Sequence, residues 1–235
     1  MNQSINIPTE GDQFSAYVAM PASTPAPVVV VLHEVFGVNG DIRLTCRDLA
    51  DHGFIALAPE LFWRQERGVD LSTWSDDEWK KGLALYTAYD RDMGVRDVAA
   101  TIQAARETDG ANGKVAVMGF CLGRLMAFLT AARHYVDAVV AYHGGGTEKY
   151  LTEAPGITAP LLMHLADEDE FISNDAQAQI KAALKTVPSA TVYSYAGQNH
   201  AFARHTGLHY NEEAAALANG RTFAFLADHL GLRTA

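Results

Sequence analysis

An α/β protein with a mostly parallel, doubly wound sheet and helices on both faces is the fold class this sequence predicts, on three observations. From residue 28 onward, apolar β-rich runs alternate with stretches of helical spacing. The run Val28-Val29-Val30-Val31-Leu32 shows no apolar/polar alternation, which is the pattern of a strand covered on both faces. The residues capable of chemistry, Glu34, Cys121, Asp169 and His200, fall on loops at strand ends, where open parallel sheets bind ligands.

Taken in order, residues 14–20 and 28–33 read as strands separated by a Pro-rich break, an antiparallel start leading into a buried strand. Asp41 opens a helix that turns Ile42, Leu49 and Ala50 to the core and stops at Gly53, and residues 54–58 form the next short strand. Residues 59–76 carry Trp63, Trp74 and several charges without periodicity, which predicts a long loop at the sheet edge. Residues 76–89 and 91–108 have helical spacing, and Asn112-Gly113 predicts a turn into the strand before Cys121. A helix from Leu122, a strand at 136–142, a strand at 160–166, a helix at 174–186, a strand at 190–195 and a last helix at 212–230 complete the alternation. With no repeat or linker to divide it, the chain is expected to form one domain over 1–235.

Composition narrows the function. The chain has 235 residues, is 49% hydrophobic and carries a formal charge of -10, so it lacks the basic surface that nucleic acid or an anionic membrane requires. No apolar run approaches the roughly 18 residues of a membrane span, and the first residues lack a basic start followed by an apolar core. Two cysteines, Cys46 and Cys121, are too few for a disulfide framework. A cytoplasmic enzyme acting on a small molecule, monomeric or a small homo-oligomer, is the expectation.

The segment around Cys121 is the most informative. A β-branched strand, Lys114-Val115-Ala116-Val117-Met118, runs into Gly119-Phe120-Cys121-Leu122-Gly123 and out into a helix. A side chain exposed at so sharp a strand-to-helix turn needs small residues two positions to either side, and both are glycine. At a helix N-terminus the unpaired N–H groups and the dipole favour a thiolate. A nucleophile needs a base and the base an orienting acceptor, and later strand ends supply Asp169 and then His200. The order nucleophile, acid, histidine is that of the α/β-hydrolase fold. The backbone N–H groups of Leu122 and Val35 are candidates for an oxyanion hole.

With these residues in hand, the chain resembles the dienelactone hydrolase (carboxymethylenebutenolidase) family of α/β-hydrolases from about His33 to the final helix. The resemblance rests on His33-Glu34-Val35-Phe36-Gly37, Gly119-Phe120-Cys121-Leu122-Gly123, Asp169 after the acidic turn, and Gly197-Gln198-Asn199-His200-Ala201-Phe202-Ala203-Arg204. It implies a cofactor-free hydrolase in which a Cys121, His200 and Asp169 triad opens dienelactone to maleylacetate through an acyl-enzyme, in the breakdown of substituted catechols. It also implies that Glu34 takes part in switching the cysteine between a resting thiol and a reactive thiolate. Readings beside it are a broader carboxylesterase or thioesterase with the same triad, or a non-catalytic α/β-hydrolase scaffold that binds a small ligand.

Two departures bear on substrate. The family holds its substrate carboxylate with two arginines; Arg204 matches one, but Trp79, followed by Lys80, occupies the place of the other, and tryptophan cannot pair with a carboxylate. Arg124 stands where the family's elbow continues with glycine, so Arg124 or Lys80 is a candidate for the missing cation, against the alternative that each is a solvated charge. Phe36, Trp79, Lys80, Arg124 and Arg204 are therefore the candidate substrate-binding residues. Cys46 and His164 are expected in the core, His143 is expected to act through its backbone, and Asp169 is preferred to Asp167 as the acid. His205 and His209 have i, i+4 spacing but no third ligand is evident, so no metal is assigned.

Overall fold

The computed structural model describes residues 3–232 and has the α/β architecture expected. The chain divides into two compact units, Met1–Val115 and Ala116–Ala235.

The first unit contains β1 (Gln3–Thr9), β2 (Asp12–Ala19), β3 (Ala26–Leu32), α1 (Gly40–Asp51), β4 (Ile55–Pro59), α2 (Asp76–Ala88) and α3 (Arg91–Arg106). Its strand order is β1-β2-β4-β3. The pairings of β2 with β1 and β4 are antiparallel, whereas β3 and β4 run parallel with Val28 opposite Ile55. Val28 to Leu32 are each 0% exposed, as an unalternating apolar strand requires. β1 was not foreseen: its apolar residues, Ile5 and Ile7, are only two, and it forms because a tight turn at Gly11 (φ 79°) folds it back along β2. The long loop after β4 is pinned at its middle. Leu71 N–H donates to the Phe36 carbonyl (2.9 Å) and Val38 N–H to the Val69 carbonyl (3.1 Å). Trp63 at its start stacks on Phe14 with ring centroids 5.3 Å apart, so it is a core residue.

The second unit is wholly parallel in its pairings. β5 (Ala111–Phe120), which begins just before the unit boundary, is followed by α4 (Leu122–Arg133), β6 (Ala138–Tyr142), a kinked 3₁₀ segment (Thr147–Gly156), β7 (Leu161–Ala166), α5 (Asn174–Leu184), β8 (Ala190–Tyr195) and α6 (Glu212–Leu230). The strands lie in the order β5-β6-β7-β8. Asn112-Gly113 is the irregular start of β5 rather than a turn before it: Asn112 Oδ1 accepts from Lys114 N–H (2.9 Å) and Gly113 takes φ 85°. The 3₁₀ segment was also unforeseen, since Pro155 inside it breaks helical periodicity. His164 lies in the core as expected, held by Tyr195 Oη (2.8 Å) and Thr222 Oγ1 (3.0 Å), and burial lowers its pKa to about 3.

Candidate active site

Three strand-end loops of the second unit carry the candidate reactive groups. β5 ends at Phe120 and α4 begins at Leu122, leaving Cys121 as the sharp link, with φ 52° and ψ -110°. The turn is possible because Gly119 has no side chain: a Cβ there would lie 2.0 Å from the Gly123 carbonyl oxygen. Cys121 N–H donates to the His143 carbonyl (3.0 Å), and Cys121 is partly exposed. Leu122, the first residue of α4, has an N–H with no intrahelical acceptor.

Asp169 follows β7 and His200 follows β8. His200 Nδ1 is 3.0 Å from each Asp169 oxygen, and Asp169 Oδ1 also accepts from Phe171 N–H (2.9 Å). The sequence reading had to choose between two aspartates, and the geometry separates them. Asp167 faces Lys181 (3.5 Å) at the surface, whereas Asp169 is 5% exposed. The two loops are laced together by Asn199, whose Oδ1 accepts from both His200 N–H (2.6 Å) and Glu170 N–H (3.0 Å). With Nδ1 given to Asp169, the other ring nitrogen serves the hydrogen bond to Cys121.

Burial opposes a charge on His200, but the hydrogen bonds to Asp169 and Cys121 outweigh it and raise its pKa to about 10. Burial likewise opposes the Asp169 carboxylate, and the His200 bond more than offsets it, leaving the carboxyl below its ordinary value. The ring of His200 is held edge-on between His143 (centroids 4.6 Å apart) and Phe171 (4.7 Å). His209 reaches the same loop, with Nδ1 3.2 Å from the His200 carbonyl and 3.6 Å from Glu170 Oε1.

In the first unit, the loop after β3 carries Glu34, Val35 and Phe36, all buried. His33 shapes it. Its Nε2 accepts from Leu61 N–H (3.0 Å), so Nδ1 carries the proton and donates to the Glu34 carbonyl (2.6 Å). Burial lowers the pKa of His33 to about 4, keeping that tautomer uncharged. Against this loop packs α2: a Cβ on Gly82 would lie 2.7 Å from the Val35 carbonyl oxygen, and the Trp79 ring meets Phe36 edge-on at 4.8 Å.

Of the two cations weighed as ligands or solvated charges, Lys80 follows the second reading and Arg124 follows neither. The Lys80 side chain is 77% exposed and pairs with Asp77 (3.3 Å), a solvated surface charge. Arg124 is neither a surface charge nor open to a ligand. It is 0% exposed, because α4 runs buried along its length and draws its third residue inside. Arg204 lies partly exposed on the loop after His200. Sequence reading named His33 and Asn199 only as motif residues, with no role, and did not name Phe171. Only Asn199 left a signal, as a short amide beside the base in a turn.

Comparisons with known proteins establish the family. The model of the dienelactone hydrolase family matches residues 14–230, and the chain belongs to that family of hydrolases. Carboxymethylenebutenolidase of Pseudomonas putida is 39% identical over 93% of this chain and 92% of its own length. Carboxymethylenebutenolidase 1 of Cupriavidus pinatubonensis is 34% identical over 92% of each chain. A Klebsiella pneumoniae crystal structure that bears the dienelactone hydrolase name superposes with a TM-score of 0.84 at 28% identity, covering 97% of this chain and 98% of its own.

Proposed function

We propose that the chain opens a small enol lactone, dienelactone to maleylacetate, by nucleophilic catalysis at Cys121. The observation that carries the reading is the continuous hydrogen-bonded path from buried Asp169 through His200 to a partly exposed Cys121 on a strained elbow. In the first half-reaction the Cys121 thiolate attacks the lactone carbonyl carbon. The N–H groups of Leu122 and, by family resemblance, Val35 hold the oxyanion. The tetrahedral intermediate expels the enolate oxygen, which takes the proton of the His200 imidazolium, leaving an acyl thioester and a neutral imidazole. In the second half-reaction that imidazole takes a proton from water, hydroxide adds to the thioester, and the thiolate leaves as the free carboxylate forms. Asp169 keeps the ring in the required tautomer throughout.

Arg204 is the proposed anchor for a substrate carboxylate, and Phe36 and Trp79 are, by the same resemblance, proposed substrate-binding residues. Glu34 is assigned the switching of the cysteine by the same resemblance. Glu34→Gln should lower kcat severalfold without unfolding the protein; unchanged kinetics would remove Glu34 from the mechanism.

A broader carboxylesterase or thioesterase is the second reading, favoured by Trp79, which puts an aromatic ring on Phe36 where an arginine is expected. The deciding measurement is the loss of dienelactone absorbance with wild type and Cys121→Ala, alongside a neutral phenyl ester. Loss of dienelactone that falls about 10³-fold or more in the variant supports the lactonase. Hydrolysis of the neutral ester alone moves the substrate class to esters, and activity untouched by Cys121→Ala sinks both.

A further inference from the structure

Arg124 is a buried cation that the proposed chemistry leaves unused. It sits in the first turn of α4, three residues after Cys121, and is 0% exposed. Its Nη1 donates to the Gly144 carbonyl, its Nη2 lies 3.3 Å from Met163 Sδ, and its buried Nε has no hydrogen-bond partner. Among the described residues no carboxylate forms an ion pair with it. The charges that act on it, Asp169, Glu148 and Cys121, all belong to the active site or to the segment following Gly146. Burying a guanidinium without a paired carboxylate is unfavourable, and an apolar side chain of similar length would fill the space without that cost. Burial lowers its pKa only to about 10, so it is charged at neutral pH.

The Gly144 carbonyl it holds belongs to the loop that backs the nucleophile. Gly144 has φ 125°, and a Cβ there would lie 2.6 Å from Cys121 Cα. The preceding carbonyl, that of His143, accepts from Cys121 N–H at 3.0 Å. Two consecutive carbonyls of one loop are thus fastened to the elbow, one by the backbone of Cys121 and the other by the side chain of Arg124.

We propose that Arg124 is a positioning residue for Cys121: it clamps the Gly144 carbonyl against the elbow, and its fixed positive charge, one helical turn away in a dry environment, favours the thiolate. This rests on Cys121 being the nucleophile. The other titratable groups that this unit sets around the elbow are His200 and Asp169, His143 on the same loop as Gly144, and Glu148, which accepts from Gly146 N–H at 2.8 Å. Arg124 keeps its proton at neutral pH, so its contribution there is a constant field rather than a switch.

The test is the rate of Cys121 alkylation by iodoacetamide against pH, read by mass at Cys121, in wild type, Arg124→Gln and Arg124→Lys, with kcat and melting temperature for each. Gln can still donate to Gly144 but carries no charge, whereas Lys keeps the charge and loses the fork. Arg124→Gln should move the midpoint of the alkylation profile up by about one pH unit and lower kcat roughly tenfold. Arg124→Lys should leave the midpoint in place while kcat falls severalfold. A folded Arg124→Gln with the wild-type midpoint overturns the proposal. If that variant does not fold, Arg124→Lys decides, and wild-type kcat in it overturns the clamp. Cys121→Ala separates this failure from that of the underlying reading: a variant that still hydrolyses substrate removes Cys121 as nucleophile whatever Arg124 does.

Discussion

Two of the buried carboxylates among the described residues, Asp97 and Asp169, each hold an N–H donor, and they do opposite things. In the first unit Asp97, 3% exposed, accepts from Trp63 Nε1 (2.8 Å) and from Arg64 Nε (3.0 Å) and Nη2 (2.8 Å), while the Arg64 guanidinium also covers the Trp63 ring at 4.2 Å. Each group there is satisfied and none of the partners titrates near neutrality. In the second unit Asp169 holds the side chain of His200, and the far nitrogen of that ring is spent on a thiol that is partly open. Backbone strain follows the same division. The two non-glycine residues with positive φ among the described residues, Cys121 (52°) and Ala201 (65°), are the proposed nucleophile and the neighbour of the proposed base. A closed ionic cluster stabilises a fold, whereas a chain of titratable groups that ends at an accessible, strained atom is equipped to react.

The sharpest way to break that comparison is to neutralise each carboxylate in turn. Asp169→Asn should lower kcat by about 10²- to 10⁴-fold, since it disturbs the tautomer of His200. Asp97→Asn should leave kcat within a fewfold and cost about 3 kcal/mol, a fall of roughly 6–12 °C by calorimetry. Loss of activity in Asp97→Asn without loss of stability would place that cluster in the function after all.

The pH dependence of stability sharpens it further. The pKa of His200 is raised from its ordinary 6.5 to about 10, so its contribution is complete below 6.5 and is lost as pH rises through about 10. Asp169 is depressed from 3.8, so its contribution is complete above that value and is lost in acid. The melting-temperature gap between wild type and His200→Gln should therefore be widest between pH 4 and 6.5 and close by pH 11. A gap independent of pH would mean that the pair is neutral. The smallest effect is expected at Gly37, where φ is 75° and a Cβ would lie 1.9 Å from the Val69 carbonyl oxygen. Gly37→Ala should cost about 1–3 kcal/mol and loosen residues 69–71, seen as faster amide exchange there, with the second unit unaffected.

What could be read in advance was whatever depends on local sequence. The runs at 28–32 and 114–120, the Gly-flanked elbow and the helices from Asp41 and Leu122 follow from periodicity, glycine spacing and capping, which act over a few residues. Cys121 and His200 were legible as candidates for a related reason: strand-end loops of a parallel sheet place chemistry at one end, so a proposed nucleophile and base needed only their order along the chain. The short β1 and the 3₁₀ segment escaped, since one forms only by pairing with β2 and the other interrupts its own pattern with Pro155.

Side-chain partners and burial were decided by the tertiary structure. Sequence spacing gave no means to tell that Lys80 would face solvent and Arg124 would be sealed inside, because both sit on helices among similar neighbours. Nor did it separate Asp167 from Asp169 except by resemblance; the lacing of two loops through Asn199 turns one toward Lys181 and the other toward His200. The sequence by itself determined which groups could react and in which order they come, since that follows from local backbone geometry. Only the tertiary structure decided which of them touch and which are dry, because hydrogen bonding and desolvation depend on residues distant in the chain.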